Sequence, residues 1–305
     1  MPDRLAPLTE ALLAAARSAG AEAADAMATD GRAVSVDVRA GALEQAERAE
    51  GTEIGLRVLI GRRQACVSAS DTSARTLAEM AERAVAMARE APEDPTVGLA
   101  DPEDLARAWD LAVLDLADSA AEPGAAQLEN DARRAEAAAL AVKGISQCQA
   151  ASASYSRRRI HLAASNGFAG GYTRTSRSTS AVAIAGEGLA MERDWAAESR
   201  TYQSDLPSPE EIGALAGARA AERLGARKPK TGAWPVVFDE RIAAGLIGHL
   251  LAAINGASVV RGSSWLRDAM GTQVLPKGLS IFAHPHRPRI SSSRPVDAAG
   301  LATQP

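Results

Sequence analysis

Residues 33–39 read Ala-Val-Ser-Val-Asp-Val-Arg. Val34, Val36 and Val38 alternate with Ser35, Asp37 and Arg39, the period of a strand with one apolar face. The same period recurs outward from this stretch. Gly41 and the run Leu43–Arg48 give a turn and a return strand, and Glu53–Ile60 (EIGLRVLI) is strand-like again. Gly61-Arg62-Arg63 is a short turn, and Gln64–Ser70 completes a hairpin. The expectation is an antiparallel meander of about four strands. Helices flank it. Residues 7–19 are amphipathic and stop at Gly20. Over 73–90, Leu77, Met80, Ala81, Ala84, Val85 and Ala88 share one face behind the caps offered by Asp71, Thr72 and Ser73. This helix is expected to cover one face of the meander.

Beyond it, 91–102 holds three prolines and reads as a loop, and Asp101-Pro102-Glu103-Asp104 caps a short helix. A second cycle follows. Ala125–Ala141 is helical, Gly144 breaks it, and three strand-like runs occupy 145–156, 158–164 and 172–185, with Ser165-Asn166-Gly167-Phe168 as a hairpin turn. Residues 187–203 extend this sheet, and Pro207-Ser208-Pro209-Glu210-Glu211 opens a helix to about residue 224. Arg227–Gly232 has no apolar residue and reads as a linker. Trp234–Phe238 is a short strand, and Asp239 caps a helix to about Ile254 with Ile242, Leu246, Ile247 and Leu250 on its apolar side. The fold class is therefore α+β, antiparallel sheets with covering helices. The divisions fall at 1–110, 120–226 and 233–305, the last an incomplete β-rich segment.

Composition bounds the function. Of 305 residues, 46% are hydrophobic and 24% charged, the range of a soluble globular chain, and aromatics are only 3%, so the core must come from many small contacts. The formal net charge of −4 argues against a dedicated nucleic-acid binder. Cys66 and Cys148 are the only cysteines and give no disulfide framework. The apolar run Ala11–Ala16 is too short for a signal peptide, and no run approaches the ~18 apolar residues of a membrane span. A cytoplasmic protein without membrane contact is expected.

The chemistry is sparse. The histidines are His161, His249, His284 and His286. His284-Pro285-His286 could present two imidazoles to a metal, with His249 or Asp297 as a third ligand, or could simply be a Pro-rich surface loop. His249 sits in an apolar helix, and upstream Ala244 and Gly245 offer neither a metal ligand nor a base. Arg157-Arg158-Arg159 splits over two faces of a strand and reads as a solvated edge. Gly170-Gly171 and Gly186-Glu187-Gly188 read as turns or bulges, not phosphate loops. Ser263-Ser264 and Ser291–Ser293 have no evident base.

Three groups of segments nevertheless carry a resemblance along the whole chain. They are Val38–Glu44 with Gly55–Leu59; Ser165–Tyr172 with Ile184–Gly188 and Met191–Asp194; and Gly245–Leu250 with Asn255-Gly256, Gly262–Ser264 and His284-Pro285-His286. Their order and spacing resemble the TldD/PmbA family, also described as modulators of DNA gyrase. The resemblance implies a two-subunit zinc metalloprotease. Its TldD branch carries HExxxH on a helix with a downstream Cys as a further ligand, and its PmbA (TldE) branch lacks the complete motif. Placing His249 on the last histidine puts Ala244 at the first histidine and Gly245 at the glutamate, so the chain resembles the PmbA branch. The implied function is a non-catalytic subunit with no catalytic residue and no metal of its own, zinc being held by a TldD-type partner. The implied substrates are unfolded or leader peptides, and direct nucleic-acid binding is not expected. The family also continues past the position matching Pro305, which implies a C-terminally truncated chain. Two alternatives stay open: an independent metallopeptidase using His249, His284 and His286, and a non-proteolytic protein-binding regulator of the gyrase-modulator type.

Overall fold

The computed structural model describes residues 4–305. By contacts the chain forms two units, Met1–Ala226 with His284–Pro305, and Arg227–Ala283.

The first unit contains α1 (Ala6–Ala19), β1 (Ala23–Arg39), β2 (Ala42–Ile60), β3 (Arg63–Ala69), α2 (Ala74–Glu90), α3 (Leu111–Leu114), α4 (Ala125–Leu140), β4 (Ile145–Ala164), β5 (Ala169–Ala185), β6 (Glu192–Arg200) and α5 (Pro209–Glu222). One antiparallel sheet has the order β3-β2-β1-β4-β5-β6. The strand pattern at 33–39 thus belongs to a 17-residue central strand.

One expectation changes here. The meander has three strands: Leu43–Arg48 and Glu53–Ile60 are one, because Gly51 stays in the ladder opposite Gly31. β1 pairs with β4 from Asp25 to Val38, so both cycles of strands share one sheet. The β1–β2 turn carries positive φ at Ala40 (50°) and Gly41 (71°), the pattern of a two-residue hairpin turn that matches strand twist.

All covering helices lie on one face. α1 and α2 bury Leu12, Ala16, Leu77, Met80, Ala81 and Val85 against Ala24, Ala26, Ala28, Ile54, Leu56 and Val58. α4 packs Leu128 and Ala132 on Val34, Val36 and Val38. α4 and α5 together cover Ala151, Ala181, Ala183 and Ala196. The layer is Ala-rich and thin, so each helix must approach closely. Ser73 accepts from the Thr76 N–H at the start of α2, and Ser208 and Glu211 form a capping box at α5.

Three local expectations fail. Residues 101–104 form turns and not a helix, and Leu105 bridges Leu301 instead. Gly170 and Gly171 lie inside β5, where an added Cβ would come within 2.2 Å of the Trp109 ring and 2.4 Å of the Ile160 carbonyl oxygen, respectively. Close approach, not a turn, accounts for that pair. Arg157–Arg159 is not at an edge: β4 lies between β1 and β5. The edge strands are β3 and β6, and β2 is open as well over residues 42–50, which are all exposed and extend past the end of β3 pairing at Ile54.

The second unit holds α6 (Glu240–Ala253), capped by Asp239, and α7 (Gly256–Val260). Trp234–Phe238 is irregular and exposed, not a strand. An isolated segment has no ladder to pair its backbone with. Ile242 and Leu246 on α6 are exposed, as are Trp265, Met270 and Phe282.

Candidate functional site

The positions that the resemblance lays over a zinc motif are on α6, where Ala244, Gly245 and His249 are all exposed. Neither Ala244 nor Gly245 has a donor atom, so this helix presents one imidazole and no carboxylate at those positions. His286 Nε2 lies 2.9 Å from Thr303 Oγ1. Thr303 Oγ1 itself donates to the Arg294 carbonyl at 2.7 Å, so it accepts a hydrogen bond from His286 Nε2–H. A protonated Nε2 is not a metal ligand. His249 belongs to the second unit, and His284 and His286 to the first. Among the described residues no group of three or more His, Cys, Asp or Glu side chains could hold a metal ion. The donor atoms among the described residues do not fit the zinc that the resemblance brings with it.

What the first unit does present is the sheet face without helices. Register places Ser35, Ser154, Ser178 and Ser199 on one rung across β1, β4, β5 and β6. Ser152 and Ser180 pair on one side of it, Ser156 and Ser176 on the other. Ser154 and Ser178 hydroxyls are 2.7 Å apart, and Ser176 and Ser199 hydroxyls 2.9 Å. Short hydroxyl side chains leave this face flat and hydrogen-bonding. Behind it Arg177 is only 3% exposed, 2.5 Å from Asp131, and donates to the Ser154 carbonyl at 2.8 Å. Burial alone would push this guanidinium pKa down, and the Asp131 carboxylate opposes that.

A cavity of about 700 Å³ opens beside α1, lined in part by Leu5, Leu116, Arg159, His161, Gly171 and Tyr172. His161 is 8% exposed, and its Nδ1 is 2.9 Å from the buried Thr9 hydroxyl. Thr9 Oγ1 spends its own proton on the Ala6 carbonyl, so Nδ1 carries the ring proton. Single-residue inspection could not reveal this pair, since the two are 152 positions apart in the chain.

The segment after His284 returns to the first unit. Arg289 lies 2.7 Å from Asp115 and 3.1 Å from Asp205, with its guanidinium 3.8 Å over the Tyr202 ring. Arg174 donates to the Ser291 and Ser293 carbonyls. Hydrogen bonding from the Tyr202 hydroxyl, then from Arg289, holds the Asp115 carboxyl below its ordinary value of 3.8. A depressed folded pKa contributes stability that is present above that value and lost as pH falls through the folded one. Protection of the Ala106 amide, bonded to the Gly300 carbonyl, is therefore expected to hold from pH 7 to about 5 and to fall below about pH 4. Hydrogen exchange corrected for intrinsic rates checks this, and Asp115→Asn should show reduced protection already at pH 7.

Fold and site together define an α+β protein with a serine-paved antiparallel sheet and a helix, α6, that presents one imidazole at His249. Family models for the PmbA/TldA metallopeptidase match residues 24–88 (domain 1), 110–225 (central domain) and 231–305 (C-terminal domain). The chain is 36% identical over 292 residues to the metalloprotease PmbA of Escherichia coli O157:H7, covering 96% of this chain and 64% of that protein. It is 32% identical over 291 residues to a PmbA homolog of Haemophilus influenzae, covering 95% and 63%. It thus spans less than two thirds of these relatives. Among solved structures it resembles one from Bacteroides thetaiotaomicron described as a modulator of DNA gyrase (TM-score 0.89, 23% identity, 98% of this chain and 68% of that one). It also resembles TldE of Thermococcus kodakarensis (TM-score 0.71, 16% identity, 97% and 66%). At those identities the structures show the fold alone. The chain belongs to the PmbA/TldD metallopeptidase family, as the resemblance in its sequence implied.

No helix among the described residues is long and apolar enough to cross a membrane.

Proposed function

We propose that this chain is the non-catalytic, PmbA/TldE-type subunit of a two-component metallopeptidase acting in the cytoplasm on unfolded or leader peptides. The observation that carries the reading is the pair Ala244 and Gly245 on α6, where a hydrolytic helix needs an imidazole and a carboxylate. Zinc supplies a polarised, activated water when bound, and it is assigned here to a TldD-type partner. The roles left to this chain are scaffold and surface. Its hydroxyl-lined sheet face accepts extended backbone with little regard to side chains, which suits unfolded substrates. The open β2 edge and the exposed apolar side chains of the second unit suit contact with other polypeptide, since exposed patches of that kind mark interaction sites.

Co-expression with a TldD-type protein tests this. Peptide cleavage should require the partner's HExxxH and should stay within about twofold on His249→Ala here, a change of under 0.5 kcal/mol in the barrier. Loss of cleavage on His249→Ala, with folding intact, would return this helix to the chemistry and favour the independent-peptidase reading.

A further inference from the structure

Between the two helix pairs the covered face of the sheet has a gap, and a groove of about 540 Å³ lies there, lined by Asp30, Gly31, Arg32, Glu50, Arg157 and Arg159. Alternation puts Arg157 and Arg159 on this face with the buried Tyr155 and His161, and it puts Arg158 on the opposite face. The groove's charges are almost all accounted for. Arg159 pairs with Asp30. Arg32 lies 2.6 Å from Glu122. Arg48 pairs with Glu50 and lies 3.4 Å from Glu122. Arg157 has no hydrogen-bond or ion-pair partner among the described residues, and the residue directly opposite it on β1 is Arg32. Like charges facing each other across a ladder are destabilising. Four guanidiniums thus face three carboxylates, and the excess charge sits on a residue half-withdrawn from water.

We propose that this groove is a binding site for an oxyanion carried on a larger molecule, a carboxylate or a phosphate, with Arg157 as the residue that contacts it and Arg32 beside it. Guanidinium suits this task because its planar donors match two oxygens at once. The neighbouring pairs hold Arg32 and Arg159 in place and keep their donors from collapsing onto the ligand's position. The groove's volume exceeds what a bare inorganic ion fills, so the anion is one group of its ligand. The proposal stands apart from the peptidase reading, since it needs neither a partner subunit nor zinc.

The test is an NMR titration of the whole chain at constant ionic strength with two probes. One is inorganic phosphate, and the other is an acetylated, amidated Gly-Glu-Gly peptide with Gly-Gln-Gly as the neutral control. Saturable shifts centred on residues 30–32 and 157–159 are expected. Arg157→Gln should weaken binding at least tenfold, and Arg158→Gln, on the other face, less than twofold. Without anion, Arg157→Gln should unfold at the same temperature as the parent or higher, because it removes an unmatched charge. Preference for phosphate or for the glutamyl peptide identifies which source carries the oxyanion. The proposal is overturned if neither probe saturates, if the two variants weaken binding alike, or if Arg157→Gln lowers the unfolding temperature without anion.

Discussion

Asp131→Ala is expected to destabilise the first unit by about 3–5 kcal/mol, read as a lowered urea midpoint at unchanged slope. The reason is what the substitution leaves behind. Arg177 is 3% exposed, its partner Asp131 is 17% exposed, and their atoms are 2.5 Å apart. Removing the carboxylate strands a cation between the sheet and α4, where its desolvation is no longer offset. The Ser154 carbonyl, accepting from Nη1 at 2.8 Å, cannot neutralise it. Replacing both partners, as Asp131→Ala with Arg177→Met, should recover most of the loss, since apolar replacement of a buried pair is often neutral. Equal destabilisation by the single and the double variant would show that the pair carries packing, not charge compensation. Arg134, 3.2 Å from Asp131, is exposed to solvent, and its loss should cost under about 1 kcal/mol.

The second large effect is expected at the crossing of α4 and α5. A Cβ on Gly213 would stand 2.0 Å from the Ala135 carbonyl oxygen, and one on Gly217 would stand 2.7 Å from Val142 Cγ2. The first neighbour is backbone and cannot turn aside. Gly213→Ala should therefore cost about 2–4 kcal/mol, although alanine is the better helix former by about 1 kcal/mol. Gly245→Ala makes the contrast. Nothing lies within 4 Å of its added Cβ, so α6 should be unchanged or slightly stabilised. Thermal unfolding of the two variants separates the cases, and a neutral Gly213→Ala would mean that the helices are not in contact there.

These sites also mark where the sequence could and could not be read. Val34, Val36 and Val38 announced a strand because period-2 burial is a local property, and Pro207–Glu211 announced α5 because a helix start is written in a few adjacent residues. That Ala244 and Gly245 offer neither ligand nor base is plain from their side chains, and only the family motif laid over them gives that a meaning. The split of Leu43–Ile60 into two strands failed because a glycine can sit in a ladder as well as in a turn, and only the pairing with Gly31 decides which. Arg157–Arg159 was misplaced at an edge because strand order is set by partners far along the chain. Arg177–Asp131, Thr9–His161 and Arg289–Asp115 are invisible to any local reading, since each joins residues from separate elements. The serine face was written in β4 and β5 as alternating Ser, but only the cross-strand register assembles it into one surface.

Under the proposed function, hydrolysis belongs to a companion chain. Zinc content by elemental analysis, on this chain purified alone and on its complex with a TldD-type protein, is the decisive measurement. No stoichiometric zinc is expected in the chain alone, and one zinc per complex is expected that disappears when the partner's motif histidines are substituted. One zinc bound to the isolated chain, removed by His249→Ala together with peptide cleavage, would return the chemistry to this chain.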